Sequence, residues 1–491
     1  MRFLDVDLTT GSVAPRIISE EDQARYLGGS GLAAKILAQE TGSRTDPLGP
    51  DNRLIFALGP FTGTRVPCSG RHHIVAKSPL TGIFGESDVG GRFGTELAKT
   101  GVQGLVLRGQ AQSPVLLYIS QEVAELRDAS SLWGLDTFAT EAALKEDLGG
   151  SMQAACIGPA GERMVPLAAI MHDGVHARAA GRCGLGAVMG SKNLKAVVAS
   201  GEGRPEAFDP AGMKAKARDM VQAIRKASGA LSTCGTAGGI GSLEENGDLP
   251  IKNFLQSRWP EVENLSGEVI AELYLTRRFA CGACPIGCGR DIEISGGRYG
   301  NMAGAGPEYE SVGTLGSYCL VSDLEAVCLA NDLCNRYGLD TISTGAAVAF
   351  GMEAYEQGLI DSGDLEGRSL CFGDPEAMLS MVRSIGEQSG MGSILGLGVR
   401  KAAERLGGRA AEFALHVKGL ELPAHDPRAF FSSALSYATS NRGACHLAGF
   451  THGLESSMTM PELGYPEIQD RFGLEGKGKM VALMQNLMGA V

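Results

Sequence analysis

The segment Cys281-Gly282-Ala283-Cys284-Pro285-Ile286-Gly287-Cys288 places three cysteines at C-x2-C-x3-C spacing. The Gly and Pro residues between them favour a tight loop that turns the three sulfur atoms toward one point. Thiolates that converge in this way bind zinc or an iron–sulfur cluster. Both kinds of site normally use four protein ligands, and zinc sites usually add a second C-x2-C pair, which this chain lacks. The segment therefore predicts a metal site, the alternative being a loop of buried free cysteines.

The composition is that of a large globular protein. A length of 491 residues predicts about three domains. The net charge of −12 argues against a nucleic-acid partner, because binding to the phosphate backbone requires a positive surface. Twelve cysteines without a secretion signal fit a reducing cytoplasm. No apolar run approaches the length of a membrane span, so we expect a soluble cytoplasmic protein with no nucleic-acid or membrane partner.

The first 203 residues read mainly as short strands separated by turns rich in Gly and Pro. The alternation from Phe3 to Val13, with Thr10-Gly11 between its halves, is typical of a hairpin. Further apolar runs predict strands at 54–58, 73–76, 104–107, 115–119, 154–157 and 194–199. Helices are expected near 20–27, 32–39, 95–99 and 137–148. We predict a β-rich N-terminal domain over residues 1–203.

After Gly201-Glu202-Gly203-Arg204-Pro205 the pattern becomes helical. Asp209 before Pro210 is a helix start signal, and Gly338 is expected to end a helix that begins at Ser322 or Asp323. Other helices are predicted up to about 357, from 374, over 394–406, and at the end of the chain, where Met480, Met484, Leu487, Met488 and Val491 share helical spacing. We predict a helical domain over 204–416 and a partial helical domain over 417–491, hence an α+β multidomain fold.

Two glycine-rich stretches are candidates for binding phosphate through backbone N–H groups. Gly28-Gly29-Ser30-Gly31 precedes a predicted helix but lacks the dinucleotide-binding fingerprint, and a tight turn explains it equally well. Residues 82–94 form a second loop of this kind. Arginines suit anionic phosphates, and four of them lie near these stretches in sequence: Arg71, Arg92, Arg178 and Arg182.

Glu310 and His446 are the candidate acid and base groups. Glu310 belongs to Gly306-Pro307-Glu308-Tyr309-Glu310, which follows the cysteine loop, and His446 lies in a Gly-containing loop after Asn441. A lone Glu is usually on the surface, so Glu310 is selected by its neighbours. His72 and His73 lie on a predicted strand, where at least one of them is expected to be a core residue.

Several longer stretches resemble the aldehyde:ferredoxin oxidoreductase family of tungstopterin enzymes, and together they extend over nearly the whole chain. These are Tyr26–Leu32, Gly59–Thr64, Lys77–Gly82, Ala177–Arg182, Gly190–Lys195, the cysteine loop, Gly306–Glu310, Gly338–Ser343, Leu422–Arg428 and Arg442–His446. The resemblance implies an N-terminal β-sheet domain that seats two pterins and two mainly helical domains that close over it.

The resemblance also implies the cofactors and the reaction. Tungsten, or molybdenum, would be bound by two pyranopterins whose phosphates are bridged by Mg2+, and a 4Fe-4S cluster would lie on Cys281, Cys284 and Cys288. An aldehyde would be oxidised to a carboxylic acid, with ferredoxin or an iron–sulfur subunit as electron acceptor, in a homodimer or another small assembly. Glu310 and His446 fall beside the metal by resemblance. The implied pterin contacts are Arg71, Asp88, Gly90, Arg178, Ala179, Gly338, Leu339 and Asp340.

The sequence departs from the family pattern in three places. Family chains continue into a further motif that carries the fourth cluster cysteine, so a truncated chain is expected, with the apolar face of its last helix exposed. Asn335 stands where the family usually has Asp, and Asp88 where it often has Asn. Candidates for the fourth ligand are Cys319, Cys328, Cys334 and Cys445, although Cys328 and Cys334 are better explained as core residues on a helix. A ligand from solvent or from a separate chain is the alternative.

Two other functions remain open. Relatives in the same superfamily reduce aromatic acyl-CoA thioesters at a tungstopterin and depend on partner subunits. A chain that kept the fold and lost the cofactor would instead be a non-catalytic scaffold or an electron-transfer subunit. Asn335 and the missing fourth cysteine favour the scaffold, whereas Glu310, His446 and the glycine-rich stretches oppose it.

Overall fold

The computed structural model describes residues 1–490. The chain begins with a six-stranded mixed sheet of spatial order β2-β1-β6-β3-β4-β5, in which β1 and β6 are parallel. Its strands are Arg2–Asp7 (β1), Ser12–Ile17 (β2), Leu54–Leu58 (β3), His72–Lys77 (β4), Phe84–Val89 (β5) and Gly104–Arg108 (β6). The predicted hairpin at Thr10-Gly11 is confirmed as the β1–β2 pair. The middle strand β3 is buried along its whole length.

A second six-stranded sheet has the order β11-β10-β9-β12-β7-β8. Its strands are Val115–Ile119 (β7), Ala124–Asp128 (β8), Gln153–Cys156 (β9), Ile170–His172 (β10), Arg178–Ala180 (β11) and Leu194–Ala199 (β12). The helices of this region are Glu20–Tyr26 (α1), Gly29–Glu40 (α2), Phe93–Lys99 (α3), Thr137–Leu148 (α4), Pro159–Glu162 (α5) and Leu185–Ser191 (α6). The predicted β-rich N-terminal region is therefore confirmed.

The structure corrects the bounds of both glycine-rich stretches. Helix α2 begins at Gly29 and not at 32, so Gly29, Ser30 and Gly31 form its first turn. A Cβ atom at Gly28 would lie 2.8 Å from the carbonyl oxygen of Leu58, which favours the tight-turn interpretation of this stretch. The segment 82–94 is not one loop, because strand β5 occupies its centre.

The following region is mainly helical. Its helices are Pro210–Ala227 (α7), Gly229–Cys234 (α8), Ile240–Glu245 (α9), Gly267–Leu273 (α10), Tyr309–Val312 (α11), Leu324–Tyr337 (α12), Thr341–Glu356 (α13), Pro375–Glu387 (α14), Gly392–Leu395 (α15) and Val399–Leu406 (α16). The Asp209 carboxylate accepts the Gly212 N–H at 2.9 Å, and Gly338 ends α12 at φ +71°, as predicted.

Two features of this region differ from expectation. A three-stranded antiparallel sheet, Leu275–Phe279 (β13), Gly289–Gly297 (β14) and Gly300–Ala305 (β15), interrupts the helices. Its glycine-rich, charged sequence hides the period of a strand. The helix predicted over 394–406 is divided into α15 and α16, because Gly398 between them adopts φ +86°.

The last region contains His416–Val417 (β16), Leu420–Glu421 (β17), Phe431–Thr439 (α17), His452–Ser456 (α18) and Lys477–Ala490 (α19). Met480 and Met484 of α19 are buried against Leu454, so this part of the helix is covered and not exposed as expected. Val491 lies outside the described residues. Across residues 1–490, no helix combines the length and the apolar character needed to cross a bilayer.

Candidate active site

The cysteine loop joins β13 to β14 and packs on the N-terminal region. The Gly282 N–H donates a hydrogen bond to the Gly91 carbonyl at 2.8 Å. A Cβ atom at Gly90 would lie 2.9 Å from the Sγ atom of Cys281. Real Cβ atoms do not approach so closely, so glycine at position 90 lets the two segments touch. The segment after β5, a predicted cofactor loop, therefore lies directly against the predicted cluster loop.

Cys68 reaches the same loop from the segment between β3 and β4. Its N–H donates to the Ala283 carbonyl at 3.0 Å, and its Sγ lies 4.0 Å from the Sγ of Cys284. No sequence motif points to this residue, because 216 positions separate the two cysteines. Among residues 1–490, Cys68 is the cysteine from outside the C-x2-C-x3-C segment that contacts its sulfur atoms.

The thiols of this group differ in acidity. The hydrogen bond from Cys68, together with the N–H groups of Ile286 and Gly287, lowers the pKa of Cys284 to about 5 although burial opposes this. Burial and the nearby Glu308 carboxylate raise the pKa of Cys288 to about 11. Soft sulfur donors, one of them stabilised as a thiolate by backbone N–H groups, are the donor set that binds iron–sulfur clusters.

The four cysteines proposed from the sequence as a fourth ligand lie in the core. Cys328 and Cys334 occupy the buried face of α12, as the core interpretation predicted. Cys319 donates to the Thr314 carbonyl at 3.5 Å, and Cys445 lies 2.7 Å from a guanidinium nitrogen of Arg442.

The predicted cofactor arginines form ion pairs around the cysteine loop. Arg71 pairs with Asp88 at 3.1 Å, so the Asp at this position supplies a charged partner. Arg178 pairs with Glu308 at 2.9 Å, and Ala179 beside it is exposed. The pKa of Arg71 is raised chiefly by Asp88, against the effect of burial. Both guanidinium groups therefore lie near the predicted cluster while already balanced by carboxylates.

The segment Gly338-Leu339-Asp340 joins α12 to α13 and contacts the second sheet region. The Ala169 N–H donates to the Gly338 carbonyl at 2.8 Å, and the Asp340 N–H donates to the Leu167 carbonyl at 2.9 Å. The Asp340 carboxylate caps α13 and pairs with buried Arg182 at 3.1 Å. These contacts fix the segment without any ligand, while its predicted pterin contact stays a prediction.

Glu310 and His446 meet in a buried position, although they are far apart in sequence. Glu310 lies in the first turn of α11, and its Oε2 accepts the Ala424 N–H at 2.8 Å. Its Oε1 lies 3.3 Å from Nδ1 of His446, and neither atom makes a hydrogen bond within residues 1–490. Unpaired buried polar atoms are costly, so this pair is suited to a bound polar group.

The electrostatics separate the roles of the two residues. Burial raises the pKa of Glu310 above its ordinary value, although the positive charge of His425 and the Ala424 N–H oppose this effect. Burial and the charge of His425 lower the pKa of His446 well below its ordinary value, so the imidazole is neutral. A carboxylate beside a neutral imidazole can accept a proton and polarise a carbonyl oxygen, respectively.

His425 is a third member of this site that the sequence analysis did not single out. Its Nε2 lies 3.7 Å from Glu310 Oε1, and its Nδ1 lies 2.6 Å from Asp248 Oδ2. It lies in Leu422–Arg428, one of the stretches that carry the family resemblance, but the sequence assigns no role to it. Asp248 precedes Pro250 and carried no motif. Only folding brings the two segments together.

Comparisons with known proteins place the chain in a family. Residues 3–201 match the model of the N-terminal domain of aldehyde ferredoxin oxidoreductase, and residues 213–491 match the model of its domains 2 and 3. The chain belongs to the aldehyde ferredoxin oxidoreductase family, which confirms the resemblance and the fold class predicted from the sequence.

Individual relatives agree with this membership. The tungsten-containing aldehyde ferredoxin oxidoreductase of Pyrococcus furiosus is 41% identical over 497 residues, which span all of this chain and 80% of the relative. The WOR-like subunit of an aliphatic sulfonate oxidoreductase from the same organism is 34% identical over 94% of this chain and 76% of its own length. A solved structure of the BamBC active-site complex of benzoyl coenzyme A reductase with 1,5-dienoyl-CoA superposes with a TM-score of 0.85 at 25% identity, covering all of this chain and 80% of that one.

Proposed function

We propose that this chain oxidises an aldehyde to a carboxylic acid and passes the electrons to ferredoxin. Family membership and the relatives at 41% identity support this assignment. The observation that carries it is the pair of Glu310 Oε1 and His446 Nδ1, which lie 3.3 Å apart and make no hydrogen bond in the described chain. The family is tungsten-containing by the names of these relatives, so the cofactor is a tungstopterin, with molybdenum as the alternative metal.

The residues around the cysteine loop fit the cofactors of this family. Four thiols converge there, and the close approach of Gly90 to Cys281 brings the cofactor loop against the cluster loop. We assign a 4Fe-4S cluster to Cys281, Cys284 and Cys288, and Mg2+ to the pterin phosphates. The pterin contacts are assigned to Arg71, Asp88, Gly90, Arg178, Ala179, Gly338, Leu339 and Asp340. When bound, the metal centre accepts the two electrons and the cluster carries them away singly.

The protein's own groups would move the proton. Glu310 Oε1 accepts a proton from the water that attacks the carbonyl carbon, while the Ala424 N–H holds the other oxygen of the carboxylate in place. Neutral His446 orients the aldehyde by donating an N–H to its carbonyl oxygen. The partial burial of both side chains, each 15% exposed, limits competing water and strengthens these interactions.

We keep the division into domains at residues 1–203, 204–416 and 417–491. The twelve cysteines support a reducing compartment such as the cytoplasm. The partners are ferredoxin, or an iron–sulfur electron-transfer subunit, and a second copy of the chain in a homodimer.

The second candidate function is reduction of an aromatic acyl-CoA, which the fold shared with the BamBC complex favours. Anaerobically purified protein should be analysed for tungsten, molybdenum and iron, and then assayed with a panel of aldehydes and with benzoyl-CoA. Aldehyde-dependent reduction of ferredoxin supports the proposal. Activity on benzoyl-CoA alone selects the second function, and absence of both metal and iron identifies a non-catalytic scaffold.

A further inference from the structure

Three titratable side chains lie in a row that ends at Glu310, the proposed base. Asp248 Oδ2 is 2.6 Å from His425 Nδ1, and His425 Nε2 is 3.7 Å from Glu310 Oε1. Their side chains are 1%, 10% and 15% exposed, respectively. They come from three separate segments of the chain, so the fold alone assembles this row.

The imidazole of His425 is held in one orientation. The bond to Asp248 fixes which ring nitrogen points toward Glu310, as a carboxylate does for other functional histidines. The Tyr437 hydroxyl donates to the His425 carbonyl oxygen at 2.9 Å, and the His452 ring stacks on the imidazole with centroids 4.8 Å apart. The contacts with Asp248 and His452 therefore leave Nε2 of His425 facing Glu310.

The charges around His425 distinguish it from its histidine neighbours. The titratable groups that face it are Asp248, Glu310, Tyr309, His446 and His452. Burial alone would lower the pKa of His425, but the hydrogen bond and charge of Asp248, with the charge of Glu310, raise it above the ordinary value. Burial lowers the pKa of His452 to about 4. His425 is thus the imidazole of this group that is most readily protonated.

A buried carboxylate needs such a charge. Removal from water disfavours the ionised form of a carboxyl group. An opposite charge within about 4–6 Å favours the ionised form again. Among the groups that favour the Glu310 carboxylate, the charge of His425 has the largest effect, ahead of the Ala424 N–H and Arg182.

We propose that His425, oriented by Asp248, is a positioning residue whose positive charge keeps Glu310 ionised and ready to accept a proton. This inference rests on the proposed function, in which Glu310 is the base. Loss of the charge leaves Glu310 protonated over a wider pH range, and a protonated carboxyl cannot take the proton of water.

The direct test is an infrared titration of the holoenzyme. The carboxylic-acid C=O band of Glu310 is identified by its absence in Glu310→Gln and followed against pH in wild type, His425→Gln and Asp248→Asn. Both substitutions keep the side-chain volume similar, and the Gln amide can still donate to Asp248. We expect the midpoint to rise by one pH unit or more in His425→Gln, a tenfold change in the ionisation constant, and to rise less in Asp248→Asn. His416→Gln, at a histidine of β16 outside this row, is the matched control and leaves the midpoint unchanged.

The pH profile of kcat/KM gives the second readout. In His425→Gln the acidic limb moves to higher pH, so activity at pH 6 falls at least tenfold further than activity at pH 8. An unchanged midpoint, or a loss that is equal at every pH, overturns the inference. If His425→Gln does not fold, Asp248→Asn decides by the same criteria. A wild-type protein that oxidises no aldehyde refutes the proposed function, and the infrared titration still decides the role of His425.

Discussion

The sulfur atoms of Cys68 and Cys284 lie 4.0 Å apart across 216 positions of the chain. The contact joins the segment that carries Arg71 to the segment that carries the three predicted cluster ligands. A disturbance of the cysteine loop should therefore also displace the proposed cofactor contacts of the N-terminal region, and a change in those contacts should displace the cysteine loop.

Cys284→Ser should abolish the visible absorbance of the cluster and most of the bound iron. Serine keeps the shape but removes the thiolate that the Ile286 and Gly287 N–H groups stabilise. Iron per chain and the electron paramagnetic resonance of the reduced protein are the measurements. Cys371→Ser, at an exposed cysteine, is the matched control. Unchanged iron in Cys284→Ser would falsify the cluster assignment.

Gly90→Ala should lower the iron content while the chain still folds. The added Cβ would lie 2.9 Å from Cys281 Sγ, so the cysteine must move. Gly150→Ala is the control, because a Cβ at that position meets no atom within 4 Å. Circular dichroism establishes folding, and iron analysis gives the result. Equal iron in both variants would mean that the cysteine loop tolerates the displacement.

Glu310→Gln should slow aldehyde oxidation by about 10²–10⁴-fold, the usual contribution of a general base. The amide keeps the bond from the Ala424 N–H but accepts no proton, so tungsten content should stay at the wild-type level. Glu412→Gln, an exposed glutamate paired with Arg409, serves as the control. A turnover rate near that of wild type in Glu310→Gln would remove this residue from the mechanism.

His172→Phe should make stability less dependent on pH on the acidic side. Burial lowers the pKa of His172 from 6.5 to about 4, so the unfolded chain binds more protons between these values. Stability therefore rises with pH across this window, by up to about 1.4 kcal/mol per pH unit for one proton. Phenylalanine keeps an aromatic ring next to Phe93, whose ring centroid lies 5.4 Å from that of His172. Urea unfolding of both proteins at pH 5 and pH 7 measures how the free energy of unfolding changes with pH. An equal change in wild type and in His172→Phe would contradict the lowered pKa of His172.

Local signals were predictable from the sequence, because they depend on a few neighbouring residues. Three such features depend on residues within one turn of the chain. They are the helix N-cap at Asp209, the left-handed C-cap glycine at Gly338 and the hairpin at Thr10-Gly11. The motifs also placed Glu310 and His446 in one site, although only the structure gives their distance.

Features that depend on contacts between distant segments were not predictable. Cys68 and Asp248 carry no motif, and each acquires its role from a partner in another region. Strands β13 to β15 were missed because glycine and charged residues mask their alternation. Helix α17 begins with Phe431-Ser432-Ser433, a weak helix-forming sequence, and it packs with Ser432, Ser433 and Tyr437 buried.

The bonds from Gly282 to Gly91 and from Cys68 to Ala283 have a consequence for maturation. The cysteine loop is shaped partly by residues that are synthesised some two hundred positions earlier. A half-made chain that ends within the first two sheets holds only Cys68 of the four thiols, and a detached helical region lacks the surface that orders the other three. If these cysteines hold the proposed cluster, its iron would therefore be inserted after the two regions have docked, into a folded protein.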